Sequence, residues 1–335
     1  LTITTNGHLV FDGRTLGDHY PGIGRYAFGL RQALGSRVGL TWIDPALNNS
    51  RFAITGPTQA SPSVRSLTAQ WSLPHRLSSS DRYYSPYWLM PYRLPCLSIV
   101  TLYDATPLFG SEMSALNKII FRLCHWLAGR VARRVIVLSE SAKVEMAALG
   151  VPAGKICVCP PGLESKFQPA SLAEKKRIKQ KYDLPDQFWL CFGSKRWHKN
   201  TKAAIEAAGS RPLIVVGQSA TLPHVPEEDL PALYSTAHCL VFPSLREGFG
   251  LPIIEAMACG TPVVCLPAPG VREAAGDAAV LAADLTASAL AESLSQLDSE
   301  SIWQAKREAG LQWATRFTWT RTIAAILDDE DSAHL

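Results

Sequence analysis

Apolar residues fall into short unbroken runs, each followed by a turn rich in Gly, Pro or Ser and then by a segment with helical spacing. Such runs occupy Gly7 to Phe11, Val38 to Ile43, Leu97 to Asp104, Arg134 to Ser139, Phe188 to Gly193 and Pro212 to Gly217, and another ends at Pro243-Ser244. Strands that are apolar on both faces and alternate with helices are those of a parallel sheet covered by helices on both sides. The alternation breaks at Pro160-Pro161-Gly162 and resumes after Pro169. This pattern predicts an α/β chain with two doubly wound, Rossmann-like sheets facing a cleft. The expected boundaries are 1–165 for a first domain, 166–316 for a second and 317–335 for a C-terminal helix.

Two stretches of the first half complicate this scheme. Pro45 to Ser80, rich in Ser, Asn, Pro, Gln and Thr, shows no useful period and reads as partly ordered surface, a candidate lid for an acceptor. The segment from about Ser114 to Arg134 has a clear helical period, with Ile119, Ile120, Leu123, Leu127 and Val131 as the expected core stripe and His125 and Trp126 as packing residues. Its cations, Lys118, Arg122, Arg130, Arg133 and Arg134, suit either a solvated charged face or a seat on anionic lipid; periodicity alone favours the first.

Composition narrows the field. With 335 residues and 47% hydrophobic content, the chain can build two cores. A net charge of +4 does not announce a nucleic-acid binder. The eight cysteines show no C-x-x-C spacing and read as buried thiols of a reducing compartment. No signal peptide and no bilayer-length apolar run is found, so a cytoplasmic site of action is expected.

Candidate chemistry concentrates in Val241 to Leu266, V-F-P-S-L-R-E-G-F-G-L-P-I-I-E-A-M-A-C-G-T-P-V-V-C-L. A strand leads through a loop with Gly248 and Gly250 into a short helix, roughly Leu251 to Cys259, with Pro252 near its start and Gly260 past its end. Glycines and helix-start N–H groups together suit a phosphate. Glu247 and Glu255, with seven residues between them, either accept hydrogen bonds from sugar hydroxyls or act blandly, Glu255 on the helix dipole of the first turn and Glu247 as a solvated loop residue. A second cluster, S-K-R-W-H-K-N, follows the strand ending at Gly193 and is suited to a departing diphosphate. Near the N-terminus, Gly22 and Gly24 in P-G-I-G-R-Y would let a loop pass close to a ligand, or would simply make a tight turn. Asp104, before Ala-Thr-Pro, is a polar group at a strand tip or a turn starter.

The string from Glu247 through Val264 resembles the nucleotide-sugar signature of family 4 retaining glycosyltransferases of the GT-B fold, in its mannosyltransferase-like branch. That resemblance implies that Glu247 lies by the donor sugar, that Glu255 binds the ribose, and that Phe249, Gly250 and Leu251 hold the diphosphate through their N–H groups. It also implies a phosphate role for Lys199, six residues after Gly193, with Lys195, Arg196 or His198 supplying a second positive charge. P-G-I-G-R-Y matches the family's glycine-rich loop, with Arg25 as an anion contact. Two departures stand out: Tyr103-Asp104 where relatives carry His-Asp, and Pro161 where they carry Asn.

The resemblance implies transfer of a sugar, with GDP-mannose as the leading donor, to a glycan or lipid-linked acceptor at the inner membrane face, with retention at the anomeric carbon. No Asp-x-Asp motif stands where it could hold a metal diphosphate, so neither metal nor other cofactor is expected, and Glu247, Lys199 and Asp104 are the candidate catalytic groups. A nucleotide-sugar epimerase and a non-catalytic sugar-nucleotide binder remain the other readings.

Overall fold

The computed structural model describes residues 8–17, 21–46, 52–217 and 221–327. The chain forms two compact units, Leu1–Gly162 with Trp319–Leu335, and Leu163–Thr318.

Among the described residues the first unit holds seven strands, β1 (Leu9–Asp12), β2 (Val38–Ile43), β3 (Thr58–Ala60), β4 (Arg82–Ser85), β5 (Leu97–Thr101), β6 (Arg134–Val137) and β7 (Ile156–Val158), in the order β3-β2-β1-β4-β5-β6-β7. All neighbours pair in parallel. On one face Trp42, Tyr83, Val100, Val135 and Val137 pack with Ala128 and Met146. The aperiodic Pro45–Ser80 stretch is better ordered than its pattern suggests, outside residues 47–51, which lie beyond the described set. β3 pairs with β2 as an exposed edge, and Ala69 and Leu73 are buried. Pro62 is tied to the end of β1, because its carbonyl accepts from Arg14 Nη1 at 3.3 Å while Arg14 Nη2 pairs with buried Asp12 at 2.6 Å. Three exposed edge residues and isolated anchors leave no period to read.

Two expectations about helices are corrected. The first helix begins at Pro21, so Gly22 and Gly24 lie in its opening turn rather than in a loop. The Ala115–Val131 helix, capped by Ser114 Oγ on Asn117 N–H, buries Phe121, His125, Ala128 and Gly129. The expected stripe holds only in part: Ile119, Ile120 and Leu123 are exposed, while Leu127 and Val131 are half-buried. The cause is close packing. A Cβ on Gly129 would lie 2.7 Å from both methyls of Val151, and the His125 ring stacks on Phe121 with centroids 3.8 Å apart. Small residues and one aromatic pair therefore set the inward face. The Thr320–Leu327 helix belongs to this unit; Thr322, Ala325 and Ile326 are buried, and Arg134 Nη1 donates to the Ala325 carbonyl at 2.7 Å.

Among the described residues the second unit has five parallel strands, β8 (Trp189–Gly193), β9 (Leu213–Gly217), β10 (Cys239–Phe242), β11 (Val263–Cys265) and β12 (Val280–Leu281), in the order β12-β11-β10-β8-β9. Strand order reverses direction beside β8, so loops after β8 and β10 leave from neighbouring tips, the usual ligand edge of such sheets. Among the described residues no helix is long and apolar enough to cross a membrane.

Candidate active site

Gly193 ends β8 where no side chain would fit: a Cβ there would lie 2.7 Å from Val215 Cγ1 and 2.9 Å from Thr201 Cγ2. The chain then makes a single 3-10 turn, Trp197–Lys199, and Asn200 takes a left-handed conformation, φ 46°, to start the Thr201–Ala208 helix. This turn is fastened to the loop after β10, since Leu245 N–H donates to the His198 carbonyl at 2.8 Å. Fastening the two loops brings Lys199 onto Glu247, Nζ to Oε1 at 2.7 Å, with 27% and 15% of the side chains exposed. Lys199 Nζ also stands 5.7 Å from the centre of the Phe242 ring. Of the three candidates for a second charge, Lys195 and Arg196 are exposed and His198 is buried beside Trp197. Arg196 N–H is turned back to Ser194 Oγ at 3.3 Å.

Past Glu247 and Gly248, Phe249 turns its ring inward, 5.5 Å from Phe317 and nearly perpendicular to it. Gly250 adopts φ 114°, which a larger residue would resist, and Leu251–Ala258 follows as a helix with Pro252 in its first turn. The first-turn amides of that helix, including Leu251, and the positive end of its dipole therefore face the sheet edge that carries Lys199. Gly270 completes the wall. At φ 76° its missing Cβ would sit 2.2 Å from the Glu247 carbonyl oxygen, so Gly270 backbone lies directly against the loop.

Glu255 is the fifth residue of the helix, in its second turn and not in its first. Its position is dictated by the helix start at Leu251, and it is buried, 3% exposed, with Oε2 accepting a 2.8 Å hydrogen bond from the Tyr234 hydroxyl. Tyr234 lies on the Leu230–Thr236 helix, and Thr261 Oγ1 donates to its carbonyl at 2.6 Å. Sequence reasoning missed both Tyr234 and Gly270. Tyr234 has no local signature, being 21 positions away from its partner; Gly270, between Pro269 and a helix start, was legible only as a turn residue.

The remaining candidates belong to the first unit. Asp104 Oδ1 accepts from Thr106 N–H at 2.7 Å, the turn-starting geometry, and Glu145 Oε2 takes the Ala105 N–H at 2.6 Å. Tyr103 donates to the Pro86 carbonyl at 2.9 Å, and burial pushes its phenol pKa well up. A Cβ on Gly24 would touch the Phe52 ring at 3.0 Å, whereas one on Gly22 meets nothing within 4 Å.

Residues 176–309, all within the second unit, match the family described as glycosyl transferases group 1. The chain is 32% identical over 229 residues to O-antigen chain mannosyltransferase B of Escherichia coli, covering 58% of this chain and 60% of that protein. It is 26% identical over 199 residues to O-antigen chain mannosyltransferase RfbU of Salmonella typhimurium, covering 52% and 53%. Both matches therefore span less than two thirds of the relative's own length. In fold, the Anabaena protein Alr3699/HepE, solved with UDP and glucose, superposes with a TM-score of 0.74 at 16% identity over 95% of this chain and 97% of its own. Two parallel-sheet α/β domains of the kind found in GT-B glycosyltransferases are thus common to both, and residues 176–309 are similar to the glycosyl transferases group 1 family.

Proposed function

We propose that this protein is a retaining glycosyltransferase that moves mannose from GDP-mannose to a hydroxyl of a glycan or lipid-linked acceptor at the inner face of a membrane, without a metal ion. The observation that carries the reading is the Lys199–Glu247 ion pair beside the start of the Leu251–Ala258 helix. A cation, a carboxylate and a helix N-terminus at one sheet edge match the needs of a sugar diphosphate: charge neutralisation for the leaving phosphates and a hydrogen-bond acceptor for the sugar hydroxyls. Lys199, assisted by Arg196 or Lys195 from the same turn, stabilises the departing diphosphate, and the amides at Phe249, Gly250 and Leu251 hold its oxygens. Glu247 orients the sugar. Glu255, held by Tyr234, accepts from the ribose hydroxyls. Mannose as the transferred sugar draws support from the two mannosyltransferase relatives.

The test is nucleotide release from a panel of GDP-, UDP- and ADP-sugars, with and without mannose-containing acceptors, in the presence of EDTA, with the product anomer read by NMR. GDP release that requires acceptor, persists in EDTA and yields an α-linked product is expected. Turnover restricted to UDP-sugars, dependence on added divalent metal, or nucleotide-sugar conversion without acceptor would each overturn the corresponding part.

A further inference from the structure

We propose that the solvent face of the Ala115–Val131 helix is a docking surface for an anionic lipid bilayer. With about 100° between successive residues, Leu116, Ile119, Ile120, Leu123 and Trp126 share the side opposite the buried Phe121, His125 and Gly129. Leu116 and Ile119 are 65% and 62% exposed, and Leu123 is 51% exposed. A continuous ridge of large aliphatic side chains spaced three and four apart is what a helix lying in a bilayer interface presents. It is not packing left over from the fold, because the other side of this helix already holds the core.

Charge selects the occupant. The helix A-L-N-K-I-I-F-R-L-C-H-W-L-A-G-R-V contains no Asp or Glu. Arg122 borders the ridge and Arg130 stands within it, Arg133 follows, and the Arg130 guanidinium lies 5.3 Å from the centre of the Trp126 ring. Two copies of the chain docked ridge to ridge would set these cations against one another with no carboxylate on either helix. Lipid phosphates supply the missing charge and acyl chains the missing apolar contact. The surface names the partner of the membrane attachment included in the functional reading above and in that sense rests on it, but it stands on this helix alone, so its test does not involve transfer.

The test is co-sedimentation of the full chain with vesicles of phosphatidylcholine, alone or with phosphatidylglycerol, at rising ionic strength, beside nucleotide release with a soluble acceptor. Binding to the anionic vesicles that weakens with salt is expected. I119S/L123S should lower the partition coefficient at least about tenfold, and R122Q or R130Q about fivefold each, with melting temperature and soluble-acceptor turnover unchanged because these side chains face solvent. Failure of the wild-type chain to bind anionic vesicles, equal binding by the serine variant, or a self-association that I119S/L123S abolishes would overturn the proposal. Loss of turnover with vesicle binding intact would instead count against the transfer reading alone.

Discussion

Replacing Gly270 with Ala offers the most quantitative test of how the candidate site is held. Its backbone is at φ 76° and ψ −40°, where side-chain-bearing residues pay strain of about 1–3 kcal/mol. The new methyl would also start 2.2 Å from the Glu247 carbonyl oxygen and 3.0 Å from its carbonyl carbon. Both atoms are main chain, so no rotamer change relieves the overlap. To reach even 3.0 Å the oxygen must retreat by 0.8 Å, and the same peptide carries the side chain that meets Lys199 at 2.7 Å. Strain and displacement together should destabilise the unit by about 3 kcal/mol, a fall in melting temperature of roughly 6–12 °C for a unit of this size. A misplacement approaching 1 Å in a catalytic loop should also cut turnover by about a hundredfold. The control is Gly22→Ala, whose Cβ meets nothing within 4 Å at the start of a helix; it should be neutral or slightly stabilising. Differential scanning fluorimetry and nucleotide titration of both variants decide the matter. If Gly270→Ala melts within 2 °C of wild type and binds nucleotide equally well, the wall has more slack than this geometry allows.

Three further outcomes are expected. Lys199→Ala should slow turnover by about 10²–10³-fold while leaving nucleotide affinity within a few fold, whereas Glu255→Ala should chiefly weaken nucleotide binding; steady-state kinetics and calorimetry separate the two, and equal effects in both assays would unseat the assigned roles. His125 is driven down to about 4 by burial, with the Phe121 carbonyl partly opposing, so its contribution to stability is complete above the unfolded value near 6.5 and is lost as pH falls toward 4. That loss amounts to about 3 kcal/mol; denaturant unfolding across this window should show it, and His125→Gln should flatten the profile. Cys157 is held down to about 6, first by the thiol of Cys159 at 3.4 Å and then, against burial, by Arg134, Arg321 and Lys143. Its alkylation by iodoacetamide, followed by mass spectrometry, should therefore set in below the usual thiol range and shift to higher pH in Cys159→Ala.

Much of the strand framework could be read because buried parallel strands leave unbroken apolar runs: Val38–Ile43 begins and ends where its pattern says. The Leu251 helix start was equally legible, since Pro252 and the positive φ of Gly250 are local requirements. What failed depended on distant partners. The inward face of Ala115–Val131 was misassigned because a Val151 neighbour makes Gly129 more valuable inside than Ile119, and nothing near Ile119 records this. Gly22 and Gly24 suggested a loop, yet Pro21 nucleates a helix there and Phe52 fills the space beside Gly24. Glu255 was found by motif but placed one turn early, and its Tyr234 partner comes from another helix altogether.

The division of the chain has a consequence for biosynthesis. The sheet of the first unit is encoded before residue 163, yet the helix carrying Thr322, Ala325 and Ile326 is translated only after the whole of Leu163–Thr318. On the ribosome the contiguous segment can therefore acquire its native structure while the earlier-made half still lacks the carbonyl that receives Arg134 and the buried side chains of that helix. The part made first is finished last, and a nascent chain stalled before residue 319 should expose that gap to chaperones or proteases.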